Sequence, residues 1–209
     1  MKQVHFTLYG KGGAGKSFVA NLIAQYLHDQ AEPVADMKLS HDVENYDSFF
    51  DRIIEEDANF VVDNYATATF PLRHYISESD AYNLMAEHGK EVVMHIPITS
   101  NRESYEHFDR MLEQVPENIP VIVWLNEFYG KLEPFENSER YLKNKDRIRG
   151  VVHLAKQMSD EIYCSDLSEM FGAELTFNEA NKSPDLGYFV RHRLNKIKES
   201  IFQQMGVIA

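Results

Sequence analysis

Short apolar runs alternate with stretches of helical periodicity along the chain. The first run, VHFTLY at 4–9, is β-branched and aromatic, and others stand at 60–62 (FVV), 91–98 (EVVMHIPI), 120–125 (PVIVWL) and 148–154 (IRGVVHL). Their length and composition predict β-strands. FVANLIAQYL at 18–27 carries apolar residues at helical spacing, and 104–114 reads as a helix on the same grounds. Strand and helix in alternation predict a mainly parallel sheet covered on both faces, an α/β protein of three layers. EVVMHIPI and PVIVWL lack the polar alternation of half-exposed strands, so both are expected at the centre of the sheet, with Trp124 in the core. Near the end, 184–205 puts Pro184 at a helix start and Phe189, Leu194, Ile197, Ile201 and Met205 at spacings of three to five. This amphipathic helix is expected to pack on the sheet; a membrane-surface or partner-docking role is its alternative.

The 209 residues are 44% hydrophobic and 26% charged, enough to bury a real core. No repeat, linker-like or low-complexity tract divides them, so one domain over 1–209 is expected. The single cysteine, Cys164, has no partner for an internal disulfide, and MKQVHFTLYG runs directly into a motif rather than a leader, which together predict a reducing cytoplasm. No apolar run approaches the roughly 18 residues of a membrane-spanning helix, so no membrane insertion is expected. A formal net charge of -12 opposes broad binding to DNA or anionic lipid. Arg191, His192, Arg193, Lys196 and Lys198 are the local exception, either a solvated helix face or a small basic patch, and they leave direct DNA binding open. The histidines are scattered without metal-ligand spacing, and no zinc site is expected.

The chemistry concentrates at GKGGAGKS, where Gly10, Gly15, Lys16 and Ser17 satisfy G-x-x-x-x-G-K-[ST]. Glycine permits positive φ and lets backbone N–H groups converge on phosphate oxygens, while the following helix turns its positive N-terminal end to the same anion. The segment Gly10, Lys11, Gly12, Gly13, Ala14, Gly15, Lys16, Ser17 and Phe18 is therefore the expected nucleotide cradle. Lys16 would reach the β- and γ-phosphates, and the Ser17 hydroxyl would complete the shell of a Mg²⁺ ion. Asp63 ends the run FVV, where a parallel sheet delivers a side chain to the ligand edge, and is the second expected metal-binding residue. Asn126 closes PVIVWLN, where an asparagine after a strand forms a turn or presents an amide that can both donate and accept.

Lys11, a second lysine directly after the first glycine, makes KGGAGKS resemble the deviant Walker A loop of the ParA/MinD family. VVDNYATATFPLRHYISE (61–78), GKEVVMHIPIT (89–99), VIVWLNEFYG (121–130), LTFNEA (175–180) and RHRLNKIKESIF (191–202) are similar to the TraL-type ATPases of plasmid conjugation and mobilisation, a branch of that family. The resemblance implies a P-loop NTPase (SIMIBI/ParA-like) fold, ATP with Mg²⁺, a homodimer formed on ATP binding in which Lys11 reaches the partner's phosphates, Asp63 as the Walker B aspartate, and Asn126 against the base. It departs at PVADMKLSHD (33–42): where relatives carry Asp-x-Asp-Pro, Asp36 stands for the first aspartate but Lys38 for the second. Turnover is thus expected to be slow or partner-stimulated. The expected function is an ATP-driven switch acting with a conjugation or mobilisation protein. Its alternatives are a plasmid partition ATPase, a nucleotide-binding scaffold with little turnover, and, weaker, a small-molecule kinase.

Overall fold

The computed structural model describes residues 1–8, 13–39, 45–64, 68–132, 135–155 and 160–207. Among them six strands form one sheet: β1 (Lys2–Phe6), β2 (Val34–Leu39), β3 (Asn59–Asn64), β4 (Lys90–Thr99), β5 (Val121–Asn126) and β6 (Ile148–Leu154). Their order is β2-β3-β1-β4-β5-β6, and every neighbouring pair is parallel. The α/β class and the central places of β4 and β5 agree with the apolar runs that predicted them. β2 is an added edge strand whose VADMKL mixes charged with apolar residues.

Helices cover both faces. One layer comprises α2 (Tyr46–Glu55), α3 (Thr69–Glu78), α4 (Ala81–Glu87) and α5 (Arg102–Leu112), whose Phe50, Ile53, Leu72, Ile76, Met85 and Phe108 bury against Val4, Phe6, Met94, Ile96 and Val123. The other comprises α1 (Lys16–Asp29), α7 (Asp160–Gly172), α8 (Phe177–Lys182) and α9 (Tyr188–Gln204), whose Leu22, Ile23, Met170, Leu194, Ile197 and Ile201 bury against Val61, Val93, Ile122 and Trp124. A short helix α6 (Glu139–Asn144) precedes β6. In β1, β3, β4 and β5 alternate residues face the two layers, as pleating requires, whereas in β6 a register shift opposite Val121 and Ile122 leaves Ile148 in the first layer and Val152 and Leu154 in the second.

The terminal helix packs on the sheet, Leu194, Ile197, Ile201 and Met205 being buried as their spacing implied. Two details differ. Gly187 rather than Pro184 caps α9, because Ser183 Oγ accepts the Asp185 N–H and Leu186 is buried, which makes 183–187 a turn. Phe189 is 80% exposed beside Tyr188 at 85%, outside the apolar stripe. No helix among the described residues is long and apolar enough to cross a membrane.

The strand order fixes where a ligand can sit. From β1 the chain passes through α1 toward β2, whereas from β4 it passes through α5, on the opposite face, toward β5. Connections leaving adjacent strands in opposite directions open a crevice at their carboxyl ends, the usual ligand position in such sheets.

Candidate functional site

The glycine-rich segment lies at that crevice. Gly10, Lys11 and Gly12 fall outside the described residues; Gly13 to Phe18 are described. Gly13 and Gly15 take positive φ, 82° and 98°, the left-handed region that a Cβ disfavours. Gly15 is the N-cap of α1 and offers no side-chain cap, and the first turn of α1 carries no acidic residue. The early N–H groups of this 14-residue helix thus have no side-chain acceptor from the cap or from an acidic residue of the first turn. That arrangement suits a phosphate.

Lys16 begins the helix and is buried, with a pKa lowered by the loss of water, while the negative charge of Asp63 acts in the opposite sense. Asp63 is the penultimate residue of β3, the strand beside β1, and its Oδ1 is buried with no hydrogen-bond partner among the described residues. A buried carboxylate oxygen without a donor is costly and calls for a cation. Ser17 is exposed at the same turn. No cluster of three His, Cys, Asp or Glu side chains occurs among the described residues. One carboxylate and one hydroxyl would suit a magnesium ion that takes its other ligands from a bound phosphate and water, and would not by themselves make an all-protein cage.

The remaining site residues are placed less simply. Asp36 lies inside edge strand β2 with its Cα opposite Val61, two rungs short of the rung that pairs Lys38 with Asp63. Its position along the strand is therefore short of the edge where Asp63 ends. Phe18 is half-buried and stands edge-on to Phe171 of α7, ring centroids 5.5 Å apart, so its side chain ties the start of α1 to α7. For Asn126 the sequence allows a turn former or, by the family resemblance, an amide against the base. In the structure both ends of its amide are engaged by the chain: Nδ2 donates to the Ala14 carbonyl at 3.1 Å and Oδ1 accepts the Phe128 N–H at 3.1 Å. The turn-forming half of that reading is present, and the other half of the amide goes to the loop.

A cluster the sequence reading passed over lies beneath α1. His5 of β1, His95 of β4 and Trp124 of β5 are fully buried on one sheet face and joined by hydrogen bonds, His5 Nδ1 to His95 Nε2 at 3.0 Å and Trp124 Nε1 to His95 Nδ1 at 2.9 Å. Part of the signal is in the sequence, since His95 and Trp124 stand in the two runs expected to be buried on both faces.

Two Escherichia coli proteins named Protein TraL are each 28% identical to this chain, one over 240 residues covering 100% of the chain and 99% of the relative, the other over 236 residues covering 98% of each. No protein-family model matches the sequence. Among solved structures, a Borrelia burgdorferi B31 protein assigned to plasmid partition, crystallised with AMPPNP, aligns over 97% of this chain and 98% of its own at 16% identity and a TM-score of 0.42.

Proposed function

We propose that the chain is a nucleotide-dependent switch that binds ATP at the Gly10–Ser17 loop, closes as a homodimer around it, and hydrolyses it slowly. The observation that carries the reading is the juxtaposition, at the switch point of a parallel sheet, of an uncapped helix N-terminus, buried Lys16 and the unpartnered carboxylate oxygen of Asp63. In this reading the loop N–H groups and the Lys16 ammonium hold the phosphates, and burial strengthens that contact by excluding water. The Ser17 hydroxyl and Asp63 carboxylate would hold Mg²⁺, which would supply positive charge beside the β- and γ-phosphates. Lys11, by the family resemblance, acts across the dimer in the manner of an arginine finger. The full-length similarity to two TraL proteins supports the plasmid-transfer branch of that resemblance.

A second reading, a nucleotide-binding scaffold with little turnover, is favoured by one feature: the rung partner of Asp63 is Lys38, and the nearest β2 aspartate, Asp36, lies two rungs away. Light scattering in Mg²⁺ with ATP, ADP or a non-hydrolysable ATP analogue separates the two, alongside phosphate release. The switch requires wild type to shift from monomer to dimer with ATP or the analogue, and Lys11→Ala to bind nucleotide yet stay monomeric. Lys16→Ala is expected to weaken binding about 10- to 100-fold, the range for losing a charge-assisted contact. An unchanged mass with every nucleotide rejects the switch, and equal loss of binding in both variants rejects a separate role for Lys11.

A further inference from the structure

We propose that Asn126 is a positioning residue for the phosphate loop, acting on the phosphates of a bound nucleotide and not on its base. The proposal rests on the nucleotide reading above. Asn126 is the last residue of β5, only 7% exposed, and its amide reaches back across 112 positions of sequence to Ala14. Its orientation is determined by its two partners. The Phe128 N–H can only donate and the Ala14 carbonyl can only accept, so oxygen must face the first and nitrogen the second. The reversed amide would set donor against donor and acceptor against acceptor.

This contact controls a group that a phosphate needs. The peptide joining Ala14 to Gly15 is planar and trans, so its C=O and N–H point in opposite directions. Holding the Ala14 carbonyl toward Asn126 therefore turns the Gly15 N–H away from Asn126 and fixes that donor in one direction. Gly15 also passes so close that a Cβ built on it would stand 2.8 Å from Asn126 Nδ2, at a φ of 98°. Glycine is thus required here on two counts, and the second is Asn126 itself. An amide with one end on the loop carbonyl and the other on a backbone N–H at the foot of β5 is a strut between the two loops, committed before any base arrives.

The test compares wild type, Asn126→Asp, Asn126→Ala and Lys16→Ala, each measured well below its unfolding midpoint. Binding of ATP, GTP, ITP and inorganic tripolyphosphate in Mg²⁺ is followed by competition against a fluorescent ATP analogue. The aspartate keeps the shape and the acceptor for Phe128 but sets an oxygen against the Ala14 carbonyl; the alanine removes the strut without repulsion. Both are expected to weaken all four ligands by one common factor, about 3- to 10-fold for alanine, as for a lost buried hydrogen bond, and more for aspartate at pH 8. Burial and the facing Ala14 carbonyl raise the pKa of the introduced carboxyl, so the aspartate loss should shrink as the pH is lowered from 8 toward 5.5, because a protonated carboxyl can donate to Ala14 as the amide does; the alanine loss should not change. A pure folding defect does not give that pH profile. Unaltered tripolyphosphate binding with a changed order among ATP, GTP and ITP would return Asn126 to base recognition and overturn the proposal, as would wild-type affinity for every ligand. Wild-type affinity in Lys16→Ala would instead reject the nucleotide reading and leave the strut as a purely structural contact.

Discussion

Lowering the pH from 6.5 to 5 is expected to remove about 3 kcal/mol of folding stability through His5 and His95 alone, each imidazole that must stay neutral costing about 0.7 kcal/mol per pH unit at pH 6.5 and about 1.4 once the unfolded ring is fully protonated. Both rings are fully buried, and burial pushes His5 down to about 3 and His95 well below the usual histidine value. The hydrogen bonds explain why neither ring accepts a proton readily. Trp124 Nε1 can only donate, so His95 Nδ1 accepts and the His95 proton resides on Nε2, from which it donates to His5 Nδ1. Every acceptor nitrogen in the chain is occupied by an N–H, and adding a proton to either ring breaks a bond. The last proton falls on His5 Nε2, which is buried without a partner, so the cluster holds no spare acceptor to recruit.

The sign follows from linkage. The folded pKa values are depressed, so the unfolded chain binds more protons below pH 6.5, and stability is complete above that pH and falls with acidification toward the folded values. The window from 6.5 to 5 is chosen because the carboxylates held low by their partners, such as Glu91 beside Arg149, affect stability only at more acid pH. Urea unfolding at pH 7, 6 and 5 measures it. The variant His5→Leu/His95→Gln, in which a glutamine oxygen can still accept from Trp124, should flatten the slope whatever its stability at pH 7. An equal midpoint for wild type at pH 6.5 and 5 would refute the account.

The parts of the fold that local pattern determines were legible, and the parts that depend on distant contacts were not. β4 and β5 announce themselves as apolar runs because both their faces are covered. β2 did not, since an edge strand tolerates Asp36 and Lys38 in a run of six. The α9 stripe was correct from Leu194 onward but not at Phe189, because periodicity gives the buried face of a helix and not where along its length the covering layer begins. At the proposed site, Gly15, Lys16 and Ser17 can be named from sequence because a phosphate-loop motif is local to eight residues. The tie from Asn126 to Ala14 spans half the chain, and nothing in either segment names the other. The histidines were readable in principle: a titratable residue at an inward position of a two-face-buried strand must find an internal partner.

Replacing Arg193 by alanine is expected to cost about 3 kcal/mol, at the lower end of the range for stranding a buried charge because Arg193 itself is partly exposed. Its guanidinium makes two bonds to Asp166 of α7, Nε to Oδ2 at 2.5 Å and Nη2 to Oδ1 at 2.7 Å, and the Asp166 side chain is only 3% exposed. Losing the arginine leaves a carboxylate with little access to water, whereas losing the aspartate leaves an arginine at 28% exposure that can swing outward. Asp166→Ala should therefore cost less than Arg193→Ala, and the double change Asp166→Leu/Arg193→Met should recover most of the loss, since an apolar pair of similar volume avoids desolvating two charges. Urea midpoints of the three variants decide it, and equal losses in the two single variants would contradict the asymmetry. The pair also bears on the site. It joins α9 to α7, and α7 sets Phe171 against Phe18 one residue beyond Ser17. Below its unfolding midpoint Arg193→Ala should thus loosen nucleotide binding as well, whereas the double variant, with α7 and α9 packed again, should restore it.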